Sequence, residues 1–237
     1  MGLAHSPRIV TDGLVLAMDT ANRKSYTPNS TTWIDAAGST ITANTNNGLY
    51  DANDMGSFIL DTGSKDLVFA NNQTLASTFS TNNFTIIVVA KSTDAVYPRS
   101  RFPLYVNQNP TTTAQKGWSV GHGITSTQIE IRQCDGANLS SIFLSHSVAA
   151  NTIYHRAFVV DRSSGISTKY YVNGSYIGEA AAANVTGSIY TSGGMLLGNV
   201  WGWRYIGHIY TFYVYNRVLT QSEVKQNFNA IRGRYGL

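Results

Sequence analysis

One stretch in the second half of the 237-residue chain is Thr168-Lys169-Tyr170-Tyr171-Val172-Asn173-Gly174-Ser175-Tyr176-Ile177. Two runs rich in aromatic and β-branched residues flank an Asn-Gly pair in this stretch. Asn-Gly tolerates the positive φ angles of a type I′ turn, and the twist of that turn matches the twist of paired antiparallel strands. The stretch therefore predicts a tight β-hairpin.

Short apolar runs separated by Gly, Asn, Asp and Ser recur on both sides of this hairpin. The run Phe84–Ala90 is continuous, as is typical of a strand buried on both faces. Ile129 and Ile131 alternate with polar residues, so this segment predicts a strand with one solvent-facing side. Residues 205–216 predict a long closing strand. Many short strands bounded by turn residues indicate an all-β fold.

Helical patterning is confined to the end of the chain. Thr220 followed by Glu223 matches a capping box, in which each residue satisfies a free backbone donor of the first turn. Gly233 is placed to end the helix. The sequence predicts one short C-terminal helix over about residues 221–232, packed against the strands.

Charged residues make up only 13% of the chain, whereas about 25% is usual in soluble domains. Uncharged Ser, Thr and Asn cover the surface instead, which suits contact with proteins or sugars but also fits a merely polar exterior. The net charge is +4 and the basic residues do not cluster. We therefore expect no nucleic-acid partner.

The length and composition of the chain indicate how many domains it has and which targeting segments to expect. Composition shows no linker, so we expect a single domain over residues 1–237. Cys134 is the lone cysteine and cannot form an internal disulfide. No segment has the character of a signal peptide or a transmembrane span, so no membrane partner is expected.

Five segments follow one another in a recognisable order: Asp12-Gly13-Leu14-Val15-Leu16, Thr31-Thr32-Trp33-Ile34-Asp35, Gly56-Ser57-Phe58-Ile59-Leu60-Asp61, Lys169-Tyr170-Tyr171-Val172-Asn173-Gly174 and Tyr215-Asn216-Arg217-Val218-Leu219. Together they resemble a laminin-G-like domain of the concanavalin A-like lectin/glucanase family across nearly the whole chain. The resemblance implies an all-β, two-sheet antiparallel jelly-roll sandwich with one short C-terminal helix.

Residues 226–236 are similar to the ending of stand-alone versions of this domain in bacteriophage virion proteins. This similarity implies a non-catalytic virion component, a capsid decoration or a tail appendage, assembled in the host cytoplasm. Its partners would be capsid or tail proteins, in a homo-oligomer or multi-copy assembly. Because this fold serves lectins and glycanases too, a free carbohydrate-binding module that binds surface glycans and a glycoside hydrolase remain the alternatives.

Catalysis is not expected from the carboxylates of this chain. A retaining glycosidase needs two carboxyl groups about 5 Å apart. Glu130 lies in a suitable strand, but the residues two positions away are Gln128 and Arg132. Glu223 is explained by helix capping. The sequence therefore predicts no catalytic residues and no enzyme.

Metal binding has little support in the sequence. The five histidines are scattered singly and lack the spacing of a zinc site. Relatives of this fold bind calcium, and Asp51, Asn53 and Asp54 could supply some of the oxygen ligands that calcium needs. A turn is the commoner use of such residues. We expect no metal site and no cofactor, with calcium as the open alternative.

The sequence offers one aromatic loop as a binding site. Trp201, Trp203, Arg204 and Tyr205 lie where the chain enters the closing strand. Aromatic rings stack on sugars or anchor protein interfaces. We therefore expect these four residues to bind a ligand; the alternative is that at least one tryptophan packs in the core.

The closing strand supplies a candidate interface. Alternation divides it into two sets: Ile209, Thr211, Tyr213 and Tyr215, and Tyr210, Phe212 and Val214. Tyr210 and Tyr213 stand where the family commonly carries charged residues. Such an aromatic outer face is usually covered, so we expect these two tyrosines to contact a neighbouring subunit or the terminal segments of their own chain.

Overall fold

The structure is a computed structural model that describes residues 7–45, 49–61, 66–70, 72–94, 104–106, 111–122, 127–190, 194–198 and 205–237. These ranges contain sixteen β-strands and two α-helices. The strands are β1 (Leu14–Asp19), β2 (Thr32–Ile34), β3 (Thr42–Asn44), β4 (Leu49–Asp51), β5 (Ser57–Leu60), β6 (Leu67–Phe69), β7 (Phe84–Ser92), β8 (Leu104–Val106), β9 (Gly117–His122), β10 (Gln128–Cys134), β11 (Leu139–Ser145), β12 (Ile153–Asp161), β13 (Ile166–Val172), β14 (Ser175–Ala182), β15 (Met195–Leu197) and β16 (Gly207–Tyr215). The helices are α1 (Gln73–Phe79) and α2 (Gln221–Tyr235).

The strands form two antiparallel sheets. Sheet A has the order β14-β13-β12-β7-β16-β5-β4, and β1 also pairs with β16. Sheet B has the order β11-β10-β9-β8-β15-β6-β3-β2. Hairpin runs such as β12–β14 and β8–β11 are joined in each sheet to strands from distant parts of the chain, such as β7 beside β16 and β8 beside β15, as in a jelly roll. The predicted all-β sandwich is confirmed.

Large aromatic side chains fill the space between the sheets. Trp33 and Trp118 from sheet B and Phe58, Phe158 and Phe212 from sheet A are fully buried. The Trp118 and Phe158 rings meet edge to face with centroids 5.8 Å apart. Such rings bury large apolar areas, and their packing accounts for the stability of a chain without an internal disulfide.

The central strand and the hairpin lie where the sequence predicts them. β7 is paired with β12 and β16 and is buried along nearly its whole length. The turn between β13 and β14 has φ of 50° at Asn173 and 75° at Gly174. A Cβ at Gly174 would lie 2.7 Å from Cδ of Lys225, so glycine is needed for both the turn and the packing of α2.

The closing strand departs from the predicted alternation. It spans Gly207–Tyr215, and its register with β7 shifts between Ile209 and Thr211. This bulge sends Tyr210 to the outer face of sheet A, while Ile209 packs between the sheets. The carbonyl of Tyr210 accepts bonds from the amide and hydroxyl of Thr20, at 3.1 Å and 2.8 Å. The predicted grouping of Tyr210 with Phe212 and Val214 is therefore wrong.

Helix α2 begins as predicted and ends later. The capping box of Thr220 and Glu223 is present. The helix passes through Gly233 and ends at Tyr235, and Gly236 takes the left-handed cap conformation. The predicted end is wrong because Tyr235 packs on the sheet and holds the last turn. Neither helix in the described ranges has the length and apolarity to cross a lipid bilayer.

The short helix α1 is an addition to the prediction of a single helix. Asn72 caps it by accepting a bond from the amide of Thr74 at 2.8 Å. Leu75 and Phe79 are buried on its inner side. With seven residues it has too few turns to show a helical period in the sequence.

The outer face of sheet A is covered by α2 and by the N-terminal segment, residues 7–13. Tyr215 of the sheet donates to the carbonyl of Val10 at 3.0 Å, and the amide of Val10 donates to Asn227 of α2 at 2.8 Å. Val224 and Ile231 of α2 are buried against the same face. Both ends of the described chain therefore close one side of the sandwich.

Candidate functional site

The aromatic loop predicted to bind a ligand is described only at its last residue. Trp201, Trp203 and Arg204 lie outside the described residues. Tyr205 is 2% exposed and packs between the sheets. Tyr205 is therefore part of the core at the start of β16, whereas the prediction that the four residues of this loop bind a ligand stays a prediction.

The two tyrosines predicted at an interface are buried by their own chain. Tyr210 is fully buried, its ring is centred 5.2 Å from that of Tyr235, and its hydroxyl donates to Asp54 at 2.7 Å. Tyr213 is 3% exposed, and α2 and the N-terminal segment cover the same face. The sequence leaves two alternatives for what covers these tyrosines, a neighbouring subunit or the terminal segments of the same chain. In the structure the terminal segments cover them.

A compact polar cluster surrounds Asp54. Its carboxylate accepts from Lys91 Nζ at 2.7 Å and lies 2.9 Å from Nδ1 of His208. Burial raises the pKa of Asp54, but hydrogen bonds from Lys91 and Tyr210 outweigh burial and hold the pKa below its usual value. Asp54 is therefore ionised at neutral pH and fixes its loop to sheet A.

This cluster contains serine, histidine and aspartate but not the geometry of a catalytic triad. Ser57 Oγ lies 2.9 Å from Nδ1 of His208, the same nitrogen that faces Asp54. A proton relay requires the nucleophile and the carboxylate on opposite ring nitrogens. Ser57 is also fully buried. The arrangement is a structural clamp.

The residues considered for calcium serve other partners. Asp51 accepts a bond from the amide of Asn53 at 2.9 Å, which is an Asx turn. Asp54 is occupied by Lys91 and Tyr210. Within the described part of the chain, no three side chains among His, Cys, Asp and Glu are grouped to hold a metal.

A second polar group lies on the outer face of sheet B, where β9, β10 and β11 run side by side. Antiparallel register sets Glu130 of β10 opposite Phe143 of β11 on one side and opposite Gly121 of β9 on the other. Ile129 and Ile131 point into the core, so Glu130 points outward. We call Gly121, Glu130, Arg132, Ser141 and Phe143 the β10 patch.

Electrostatic contacts order the β10 patch. Nε of Arg132 lies 2.7 Å from Oε1 of Glu130, and the Ser141 hydroxyl donates to the same oxygen. The terminal Nη groups of Arg132 make no hydrogen bond to any described residue. These donors and the second carboxylate oxygen of Glu130 remain open to a ligand on a partly exposed surface.

An aromatic ring and an open space complete the patch. Phe143 is 38% exposed. Among the described residues, a Cβ placed on Gly121 would meet no atom within 4 Å, so no described side chain fills the space on that side of Glu130. Neighbouring strands lie about 5 Å apart, so β9 to β11 span about 10 Å, which is the scale of one or two sugar rings.

From the sequence alone, Glu130 is considered only as a catalytic carboxylate that lacks a partner, Arg132 is set aside, and Phe143 is missed. A signal was present, because Ser141, Phe143 and Ser145 alternate with the inward Ile142 and Leu144. That pattern places a phenylalanine among serines on the polar side. The neighbours opposite Glu130 are Phe143 and Gly121, so neither cross-strand position supplies a second carboxylate.

Comparison with known proteins agrees with this architecture. The family model described as the concanavalin A-like lectin/glucanases superfamily matches residues 61–225. No curated protein matches the sequence.

Several solved structures share the fold at low sequence identity. The binding domain of Paraclostridial Mosquitocidal Protein 1 is 17% identical with a TM-score of 0.70, over 92% of this chain and 52% of that one. A structure reporting that cell entry of botulinum neurotoxin type C depends on two ganglioside molecules is 14% identical with a TM-score of 0.69, over 92% and 51%. The binding domain of botulinum neurotoxin DC with rat synaptotagmin II is 16% identical with a TM-score of 0.66, over 92% and 52%. This chain spans about half the length of these structures.

Proposed function

The chain belongs to the concanavalin A-like lectin/glucanase superfamily, and from this membership we propose that it is a non-catalytic binding domain that recognises a glycan at the β10 patch. We take residues 1–237 as one such domain. The observation that carries the proposal is an exposed phenylalanine, Phe143, beside an ordered ion pair of Glu130 and Arg132.

The chemistry of the patch matches that of a sugar. The C–H face of a pyranose ring packs on an exposed aromatic ring such as Phe143. Its hydroxyls both donate and accept, so they can donate to Glu130 while accepting from Arg132, and bonds to charged groups are the stronger ones. The ion pair leaves the patch nearly neutral, so the patch repels neither a neutral nor an acidic oligosaccharide.

The similar structures support the ligand class. Botulinum neurotoxin type C depends on ganglioside for cell entry, and a ganglioside carries an oligosaccharide. The sequence identity to that structure is only 14%, and this chain spans about half of its length. We therefore propose for this chain a glycan as the class of ligand, and not the ganglioside itself. The single carboxylate of the patch supports a binding role over glycosidic cleavage.

The test is an oligosaccharide array that includes ganglioside head groups, followed by titration calorimetry with the glycan retained. We expect Phe143→Ala to weaken binding about 2- to 10-fold, as loss of an aromatic stack would. Glu130→Gln should weaken binding while leaving the fold intact.

Leu49→Ala is the matched control. Leu49 is 56% exposed and lies on β4, which forms the edge of sheet A opposite to β14. We expect this variant to bind as the unaltered chain does. Absence of any retained glycan, or equal affinity of the Phe143→Ala variant, would contradict the proposal.

A second proposal concerns the setting of this domain, which we place in a bacteriophage virion as a multi-copy capsid decoration or tail appendage. Edge strand β14 favours it, because Tyr176 and Ile177 are exposed and Glu179 is the one charged residue in that strand. Open, low-charge strand edges invite pairing with another chain. Native mass measurement tests it: a stable homo-oligomer, or recovery with capsid or tail particles, supports it, and a monomer found only free in solution contradicts it.

A further inference from the structure

A cavity of about 410 Å³ opens on the outer face of sheet A, on the opposite side of the sandwich from the β10 patch. Its base is formed by Ala17 and Tyr213, which are register partners of β1 and β16, together with Asp19. Ile9 of the N-terminal segment and Ala36 of the loop after β2 line its sides. The volume falls within the range of about 300–1,000 Å³ that is usual for small-molecule sites.

The loop side of the cavity is fixed by Asp35. This buried carboxylate accepts from the amides of Ala17 at 2.7 Å, Ala37 at 2.9 Å and Ser39 at 2.7 Å. The amide of Ala36 in turn donates to the carbonyl of Ala17 at 2.8 Å. These bonds attach the loop along the edge of β1 that does not pair with β16, so a ligand would enter a preformed cavity.

The opposite side is fixed by the C-terminal helix. Val10, next to Ile9, donates its amide to Asn227 and accepts from Tyr215, at 2.8 Å and 3.0 Å. These bonds are buried. Ile9 is consequently held beside the cavity by hydrogen bonds that a ligand would not need to break.

Tyr213 is the feature that points to a ligand. Its side chain is 3% exposed and lines the cavity, yet its hydroxyl has no hydrogen-bond partner within the described ranges. The other tyrosines on this face of β16 are satisfied: Tyr210 donates to Asp54, and Tyr215 donates to Val10. A phenol that faces a cavity and has no partner in the protein is free to donate to a ligand or to water.

Charge in the cavity sets the kind of ligand. Asp19 is paired with Arg234, whose Nη1 lies 2.8 Å from each carboxylate oxygen, so the pair is neutral. Oδ1 of Asp19 also accepts from the amide of Ala21 at 3.0 Å, which leaves Oδ2 with spare acceptor capacity. Burial raises the pKa of Tyr213, and Asp19 raises it further, so the phenol stays protonated and is a donor.

We propose that this cavity binds a small neutral ligand that carries a hydroxyl group on an apolar frame. The ligand hydroxyl accepts from Tyr213 and donates to Oδ2 of Asp19, while the frame contacts Ile9, Ala17 and Ala36. The site is separate from the β10 patch and does not depend on the function proposed for it. The shared chemistry fits either one sugar ring or a cyclic aliphatic alcohol.

Saturation-transfer NMR with cis-1,2-cyclohexanediol, methyl glucoside and cyclohexanecarboxylate tests this proposal on the full chain. We expect saturation transfer from the protein to at least one of the neutral compounds. The compound with the stronger signal shows whether the cavity prefers a cyclic aliphatic alcohol or a sugar ring. The carboxylate should bind at least 10-fold more weakly than the better neutral compound, because the neutral pair of Asp19 and Arg234 supplies no net positive charge to offset the cost of desolvating an anion.

Two substitutions tie the signal to the cavity. Tyr213→Phe removes only the hydroxyl and should weaken binding about 3- to 10-fold without lowering the melting temperature. Ala37→Leu adds a side chain at the exposed rim of the cavity and should weaken binding at least 10-fold. Tyr171→Phe, a buried tyrosine of the same sheet face that does not line the cavity, should leave binding unchanged.

No transfer to either neutral compound would overturn the proposal, as would transfer that both Tyr213→Phe and Ala37→Leu leave unchanged. Preferential binding of the carboxylate would also overturn it. Phe143→Ala separates this result from that of the β10 patch, since it should weaken glycan binding there and leave the cavity signal intact.

Discussion

On the outer face of sheet A the chain covers its own strands, whereas at β9–β11 of sheet B the strands face solvent. The covered face carries Tyr210, Tyr213 and Tyr215, and α2 and the N-terminal segment cover it except at the cavity beside Tyr213. The open face carries Ser141, Phe143 and an ion pair of β10. This contrast indicates that an outer sheet face rich in aromatic residues has to be covered, whereas an outer face of polar and charged residues can stay exposed and bind a ligand.

The largest expected effect comes from removing a ring under the helix. Phe228 is 5% exposed and packs edge to face on His155. Phe228→Ala should lower the free energy of unfolding by about 3–5 kcal/mol, because it leaves a cavity between α2 and sheet A. Urea denaturation measures this. A loss below about 1 kcal/mol would show that the helix is not required to seal this face.

Acid should weaken the same covered face. His155 is fully buried, and neither ring nitrogen has a hydrogen-bond partner in the described ranges. Burial lowers its pKa to about 4. Lys225 and Arg232 lie over the Phe228 ring at 5.1 Å and 5.9 Å, so the nearby charge of α2 is also positive.

The sign of the acid effect follows from the two pKa values. The unfolded chain takes up a proton at His155 near pH 6.5, whereas the folded chain does so near pH 4. Stability is therefore unaffected above pH 6.5 and falls as the pH drops from 6.5 to 4, by about 2 kcal/mol at pH 5.

His155→Phe should remove that part of the pH dependence in urea titrations at pH 7 and pH 5. Burial and Arg156 lower the pKa of His146 to about 4 as well. That residue is present in both proteins, so the difference between them isolates His155. An unchanged pH dependence in the variant would contradict the assignment.

A smaller effect is expected at the start of α2. The hydroxyl of Thr220 accepts from the amide of Glu223 at 3.3 Å, and the Glu223 carboxylate accepts from the amide of Thr220 at 2.8 Å. Thr220→Ala should cost about 1 kcal/mol in unfolding free energy. Thr42→Ala, on the exposed side of sheet B, is the control and should change stability by less than about 0.5 kcal/mol.

The smallest effect on stability is expected at the open face. Phe143→Ala should change the unfolding free energy by only about 0.5 kcal/mol, as is usual for exposed positions. The same Phe-to-Ala substitution, made at Phe228 and at Phe143, thus compares the loss of unfolding free energy at the covered face with the loss at the open face. A loss near that of Phe228→Ala would mean that Phe143 is part of the core and not a free binding ring.

Features specified by neighbouring residues could be predicted from the sequence. Asn173 and Gly174 determine the hairpin turn between them, and Thr220 and Glu223 determine the start of α2. The continuous apolar run of β7 identifies a central strand without any knowledge of its partners. Each of these signals is contained in about ten consecutive residues, so it can be recognised without knowing which distant residues the segment contacts.

Features that depend on distant residues could not be predicted. The bulge at Tyr210 is stabilised by Thr20, 190 positions away in the chain. The inward turn of Tyr205 depends on where β16 begins, and aromatic character alone does not distinguish a core ring from a binding ring. The β10 patch combines residues of three strands, so its members become neighbours only once the register is known.

The hydrogen bond from Gln226 to the carbonyl of Arg8 and the shared cluster of Ile9 and Leu237 bring both ends of the described chain to one side of the molecule. A tether, label or carrier joined at residue 7 or residue 237 would stand behind sheet A. Copies anchored on a particle through either end would therefore all display Phe143 toward the surrounding medium, spaced for simultaneous engagement of a multivalent target.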